Sequence, residues 1–318
     1  MARTTDPAVL IPRARAGDRR ALARMITLVE DHHSDGDHIL AELFPRTGGA
    51  WTTGLTGAPG AGKSTLTNRL IGKIRDTDTS VAVLAVDPSS PFTGGAVLGD
   101  RVRMQDHIDD DEVYIRSMAS RGHLGGVSEA TPRAVAVVDG MGFPEILVET
   151  VGVGQAEVEI AANADTTLVV LNPRWGDSIQ AAKAGLLEIG DVFVVNKADR
   201  AGVNETMRDL KQMLELGGHG EWWPPVIATV ASTGEGIDDL WEAVRAHRAH
   251  LEASGELQAM RHRRLLGDVE TAVAAAVHLQ VRSTLDHPDW EAMVAQVTER
   301  RLDPWTAARR LLAFVAAE

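Results

Sequence analysis

Residues 57–65 read Gly57-Ala58-Pro59-Gly60-Ala61-Gly62-Lys63-Ser64-Thr65, a match to the pattern GxxxxGK[ST]. Glycines let a backbone wrap closely around an anion with its N–H groups turned inward. Lys63 has the reach to meet β- and γ-phosphates, and the Ser64 hydroxyl is a hard oxygen ligand suited to Mg²⁺. The context agrees with the pattern. Trp51–Thr56 (WTTGLT) reads as a short strand, and Leu66, Leu70, Ile71 and Ile74 recur at helical spacing after the loop. Strand, glycine loop and helix would aim the positive end of a helix at the same anion.

Outward from this loop, apolar runs alternate with helical stretches from Trp51 to about Leu251. The expected strands are Val81–Val86, Val113–Ile115, Ile146–Glu149, Thr167–Leu171, Val192–Asn196 and Val226–Val230. Most are apolar throughout, as strands covered on both faces of a parallel sheet must be. The expected fold is therefore α/β, a P-loop NTPase with a mostly parallel sheet flanked by helices. Residues 1–48 are expected to form an N-terminal helical extension, 49–252 the nucleotide domain and 253–318 a C-terminal helical arm. In the first, Asp18 is placed to cap a helix carrying Leu22, Met25, Ile26 and Val29 on one face. In the last, Leu266, Val269, Val273 and Ala276 form a stripe, and a final helix is expected after Asp303-Pro304. Such a stripe needs cover, and a second copy of the chain is the expected source.

Composition removes several classes. There is no cysteine, which excludes disulfides and thiolate chemistry. A net charge of −13 disfavours a broad nucleic-acid surface. No apolar run approaches a membrane span, and the first twenty residues lack the apolar core of a signal peptide, so a cytoplasmic location is expected.

Asn196-Lys197-Ala198-Asp199 closes the strand Val192–Val195 and fits the NKxD pattern of guanine recognition. The Asp199 carboxylate can accept from guanine N1–H and the exocyclic amine, whereas adenine would leave that charge unpaired. The stem of Lys197 can lie over the base, and Asn196 can brace neighbouring loops. A further guanine-reading loop is expected at Val230-Ala231, where Val230 stands in place of the usual Ser and the Ala231 backbone N–H would meet O6. Asp87 and Glu149 end strands at the carboxyl edge of the sheet, where a carboxylate can hold Mg²⁺ or its waters. Asp31, His32, His33, Asp35, Asp37 and His38 cluster in sequence, and the expected reading is a solvated turn between helices. GTP or GDP with Mg²⁺ is the expected cofactor set.

Taken together, these residues resemble the MeaB/ArgK family of SIMIBI-class GTPases, which includes the human methylmalonic-aciduria type A protein. The resemblance covers about Gly54 to Leu251, with a helical flank on each side. It is carried by Ala82–Met104 (AVLAVDPSSPFTGGAVLGDRVRM), Gly122–Gly126 (GHLGG), Glu149–Gln155 (ETVGVGQ) and Gly176-Asp177-Ser178-Ile179-Gln180 followed by Lys183. It implies that Lys63, Ser64 and Thr65 hold phosphates and Mg²⁺, that Asp87 and Asp100 lie around the metal, and that Glu149 organises the hydrolytic site. It further implies that Gly152 senses the γ-phosphate, and that Asp177, Gln180 and Lys183 relay nucleotide state to a partner. That partner would be an adenosylcobalamin-dependent acyl-CoA mutase, served by a homodimeric GTPase chaperone that gates cofactor loading. Two segments depart from the family: Pro173-Arg174-Trp175-Gly176-Asp177 before the relay loop, and Met118-Ala119 in place of Ser-Pro. The expected partner is methylmalonyl-CoA mutase or a related mutase, and these departures, both in switch-like segments, favour a related one. A nickel metallochaperone GTPase of the same class, resting on His32, His33 and His38, and a kinase are the competing readings. The sequence assigns no arginine that completes the site: Arg116, Arg121 and Arg174 are candidates, but each is expected to be a surface or partner-binding residue, and the partner could supply the arginine.

Overall fold

The computed structural model describes residues 4–87, 105–107, 109–119, 130–150, 156–173, 185–217, 220–283 and 288–315. The chain divides into two compact units, Met1–Ala259 and Met260–Glu318.

Among the described residues, the first unit is built on seven strands: β1 (Trp51–Gly57), β2 (Val81–Asp87), β3 (Val113–Ala119), β4 (Glu145–Thr150), β5 (Thr166–Leu171), β6 (Val192–Asn196) and β7 (Val226–Thr229). Their order is β3-β2-β4-β1-β5-β6-β7, and every neighbouring pair is parallel. The expected α/β class holds, and each apolar run named from the sequence is a strand.

Side chains alternate across a strand, so both faces of each run must find cover. Val81 and Val83 of β2, Leu168 and Val170 of β5, and Val192 and Val194 of β6 enter one core with Leu66, Leu70, Ile71 and Ile74 of α4 (Lys63–Arg75). Ile237, Leu240 and Val244 of α9 (Ile237–Ser254) complete that layer. On the opposite face, Ala82, Leu84 and Val86 pack with α5 (Ala130–Gly140) and the N-terminal helices α1 (Pro7–Arg15), α2 (Arg19–Glu30) and α3 (Ser34–Leu43). Val169, Leu171, Phe193 and Val195 lie under Leu210 and Leu214 of α8 (Val203–Leu216). Among the described residues, this unit also contains α6 (Ala156–Asn163) and α7 (Gly185–Ile189).

Asp18 caps α2 as the sequence suggested, accepting from the N–H groups of Arg20 and Ala21. The acidic, histidine-rich stretch is not the turn expected. Only residues 31–33 turn; α3 begins at Ser34, with His33 as its cap and Asp35 and Asp37 in its first turn. Acidic side chains there favour the helix N-terminus.

Helix α10 (Glu256–Ser283) runs from the end of the first unit into the second, which also contains α11 (Pro288–Thr298) and α12 (Pro304–Val315). The α10 stripe is uncovered: Leu266 is 52%, Val269 60% and Val273 57% exposed. None of the described helices is long and apolar enough to cross a membrane.

Candidate functional site

Because all seven strands are parallel, their carboxyl ends lie on one edge, and a ligand crevice opens where the strand order reverses. That reversal falls at β1, whose neighbours are β4 and β5. The glycine loop leaves β1 there.

Gly57, with φ +129°, ends β1; a Cβ at this position would run into the Val170 carbonyl of β5. Gly60 (φ +71°) and Gly62 (φ +95°) complete a loop that only glycine follows without strain. Pro59 and Gly60 are exposed, while Ala58 and Ala61 are buried. Gly62 is the N-cap of α4, and no side chain among the described residues caps that helix, so its N-terminal turn meets the crevice as an anion site. Lys63, 6% exposed, donates from Nζ to the Gly57 carbonyl (2.6 Å) and the Ala58 carbonyl (3.1 Å). Thr65, one position beyond Ser64, is exposed on the first turn of α4.

Glu149, fully buried near the end of β4, accepts from Ser64 Oγ at 2.6 Å and from Thr67 Oγ1 at 3.0 Å. Ser64 and Thr67 sit three residues apart and so share one face of α4. A buried carboxylate with a neighbouring hydroxyl is an all-oxygen, hard donor set, and it fits Mg²⁺. Thr67 was missed in the sequence, although its spacing from Ser64 was the available signal.

The strand end of β6 supplies the other half of the site. Asn196, 1% exposed, donates from Nδ2 to the Ala61 carbonyl (2.8 Å) and accepts at Oδ1 from Thr229 Oγ1 (3.2 Å) and the Ala231 N–H (3.1 Å). One amide thus ties the glycine loop to the loop after β7. The Ala231 N–H, expected to face a guanine O6, points in this structure at Asn196 Oδ1. Lys197 adopts φ +60° and donates from Nζ to the Gly60 carbonyl at 2.5 Å, so its stem crosses from β6 to the glycine loop. The Ala198 N–H donates to the Thr229 carbonyl (3.0 Å), and Asp199 stands exposed beside it. Val230 is buried and its N–H donates to the Glu235 carbonyl (3.0 Å), closing a tight turn.

Asp87 ends β2 on the same edge of the sheet. Asp100, Gly152, Asp177, Gln180 and Lys183 lie outside the described residues, as do Arg121 and Arg174. Arg116 is not available as a catalytic arginine: on β3 it pairs with Glu30 and Thr27 of α2. Among the described residues, no group of three His, Asp or Glu side chains is placed to hold a metal ion, His32, His33 and His38 included.

A parallel sheet with a glycine loop after its central strand, a lysine and serine opening the next helix and a buried carboxylate beside them defines a P-loop nucleoside triphosphatase. The family model "Methylmalonyl Co-A mutase-associated GTPase MeaB" matches residues 22–286. A putative GTPase of Pyrococcus abyssi is 46% identical over 307 residues, 95% of each chain. The GTPase ArgK of Escherichia coli is 35% identical over 321 residues, 97% of this chain and 96% of its own. A crystal structure described as LAO/AO transport system kinase superposes with a TM-score of 0.72 at 27% identity, over 99% of both chains. The chain belongs to the MeaB family, and it is a GTPase.

Proposed function

We propose that this GTPase is a chaperone for an adenosylcobalamin-dependent acyl-CoA mutase, binding the mutase and gating the loading and protection of its cofactor. The family's description as mutase-associated is the observation that carries the reading. In it, the backbone of Gly57–Gly62 and the N-terminus of α4 cradle the phosphates, with Lys63 withdrawn from its carbonyl partners to meet the β- and γ-oxygens. Ser64 and Glu149 hold Mg²⁺ directly or through water, with Thr65, Asp87 and Asp100 around it. When bound, Mg²⁺ neutralises charge developing on the phosphate oxygens. Glu149 also orients the hydrolytic site, and Gly152 reads the γ-phosphate.

Asn196, Lys197 and Asp199 select guanine, with the Val230-Ala231 turn against O6. The nucleotide state passes to the mutase through Asp177, Gln180 and Lys183, in a segment where Arg174 stands in place of the family's glycine. The exposed stripe on α10 supports a homodimer formed through the C-terminal helices. GTP hydrolysis by the purified protein, measured alone and with each acyl-CoA mutase of the same organism, tests the reading. Stimulation by one mutase supports it and names the partner; rates unchanged by every mutase would overturn it.

A further inference from the structure

Arg69 projects from α4, six residues beyond Lys63, and reaches the loop after β7. Its Nε donates to the Ala231 carbonyl at 2.8 Å and its Nη2 to the Ser232 carbonyl at 2.6 Å. The planar fork of a guanidinium holds two acceptors at once, and with less loss of freedom than two separate side chains. In a trans peptide the C=O and N–H point in opposite directions. Fixing the carbonyls of Ala231 and Ser232 therefore fixes the directions of the Ser232 and Thr233 N–H groups as well. The Thr233 N–H is spent within the turn, on the Val230 carbonyl (3.0 Å), and the Ala231 N–H lies against Asn196 Oδ1. The turn is thus clamped from two sides, by Asn196 on β6 and by Arg69 on α4.

Helix α4 rises about 1.5 Å per residue, so Arg69 sits about 9 Å along the helix from the lysine that opens it. A nucleotide also has two ends, and one rigid helix would register both.

We infer that Arg69 is a positioning residue for guanine recognition: it holds the 230–233 turn so that a backbone N–H meets the guanine O6. The inference rests on the proposal that this turn reads O6. No group on Arg69 itself touches the nucleotide in this scheme. The side chain is exposed and packs into no apolar core, so its replacement is compatible with folding.

The test is equilibrium binding of GDP, 6-thio-GDP and IDP to the wild type, Arg69→Ala and Arg69→Lys. Sulfur at position 6 is a weak acceptor, so 6-thio-GDP reports the O6 contact; IDP lacks the 2-amino group and reports the Asp199 contact. The wild type is expected to prefer GDP over 6-thio-GDP by about tenfold, the worth of one well-made hydrogen bond. Arg69→Ala is expected to lose about tenfold for GDP and little for 6-thio-GDP, erasing that preference while the GDP-over-IDP ratio is kept. Arg69→Lys, which retains one carbonyl contact, should fall between. An equal loss for all three nucleotides, or an intact preference in Arg69→Ala, overturns the assignment of Arg69 and leaves the guanine reading standing. A wild type that does not distinguish sulfur from oxygen overturns the O6 reading of the turn, and the role of Arg69 with it.

Discussion

The Ser64 hydroxyl donates to Oε1 of Glu149 at 2.6 Å, across 85 residues of sequence, and Thr67 on the same helix face donates to the other carboxylate oxygen. Two hydroxyls of α4 therefore orient a carboxylate of β4 that has no exposed surface. Residues that orient metal ligands typically matter by 10–100-fold in affinity or activity. Glu149→Gln is accordingly expected to lower GTP hydrolysis by about 100-fold, and Thr67→Ala, which leaves Ser64 in place, by about tenfold. Both should be partly restored by raising the Mg²⁺ concentration, because weakened metal binding is overcome by mass action. Hydrolysis measured against Mg²⁺ concentration checks this. A Thr67→Ala enzyme with wild-type rates at every concentration would show that the second hydroxyl is only packing.

Asp199 is expected to set the choice of base. Its carboxylate accepts from guanine N1–H and the 2-amino group, and an amide in its place can donate to a 2-carbonyl instead. Asp199→Asn should therefore weaken GTP binding by about 100-fold, as loss of a charge-assisted pair implies, and should improve binding of xanthosine triphosphate. Competition between the two nucleotides for the purified variant reads this directly. Unchanged preference would remove Asp199 from the base site.

Much of this site was legible because its chemistry is written in contiguous residues. Gly57–Thr65 and Asn196–Asp199 are short motifs at strand ends, and strands buried on both faces, such as Val192–Val195, are apolar without interruption. What was not legible depends on partners distant in sequence. Arg69 grips carbonyls more than 160 residues away, and a carbonyl carries no residue identity. The start of α3 was misread for a different reason. Asp35, Asp37 and His38 look like a turn by composition, yet they lie on a helix, Asp37 and His38 facing solvent, whose Gly36 packs against the Leu28 carbonyl and whose Ile39 is fully buried. Arg116 is a candidate by charge alone, with a surface or partner-binding place expected instead; its pairing with Glu30 from β3 could come only from the register of the edge strand.

The α10 stripe gives a prediction about assembly. Leu266, Val269 and Val273 are each more than half exposed, which a single chain leaves in water at about 25 cal/mol per Å² of apolar surface. If two copies cover these residues, Val269→Asp combined with Leu266→Asp should convert a dimer to a monomer by sedimentation while basal GTP binding stays within about twofold. A dimer that survives both substitutions would place the interface elsewhere.

At the amino end of the sheet, away from the nucleotide edge, pH acts on stability through Glu145. Burial at the start of β4 pushes its carboxyl up to about 7, with Arg248 at 3.3 Å lowering it and Asp165 adding to the rise. Its second oxygen, Oε2, has no hydrogen-bond partner. The unfolded chain holds this group near 4.5, so the folded state binds the proton more tightly. The resulting stability is fully present below about pH 4.5 and is lost as the pH rises through 7. Glu145→Gln, which keeps the shape without the charge, should then leave stability unchanged near pH 4 and raise it at pH 8 by about 1–3 kcal/mol, since each pKa unit is worth about 1.4 kcal/mol and the Arg248 contact is weakened. His247 works on the other side of the profile. Burial holds its imidazole down near 4, with His250 adding to the depression, so its contribution is lost as the pH falls from about 6.5 through 4. Thermal melts of the wild type and Glu145→Gln between pH 4 and 8 should coincide at the acid end, separate progressively as the pH rises from about 4.5 to 7, and stay apart above it; a constant gap across that range would mean that Arg248 keeps Glu145 ionised throughout.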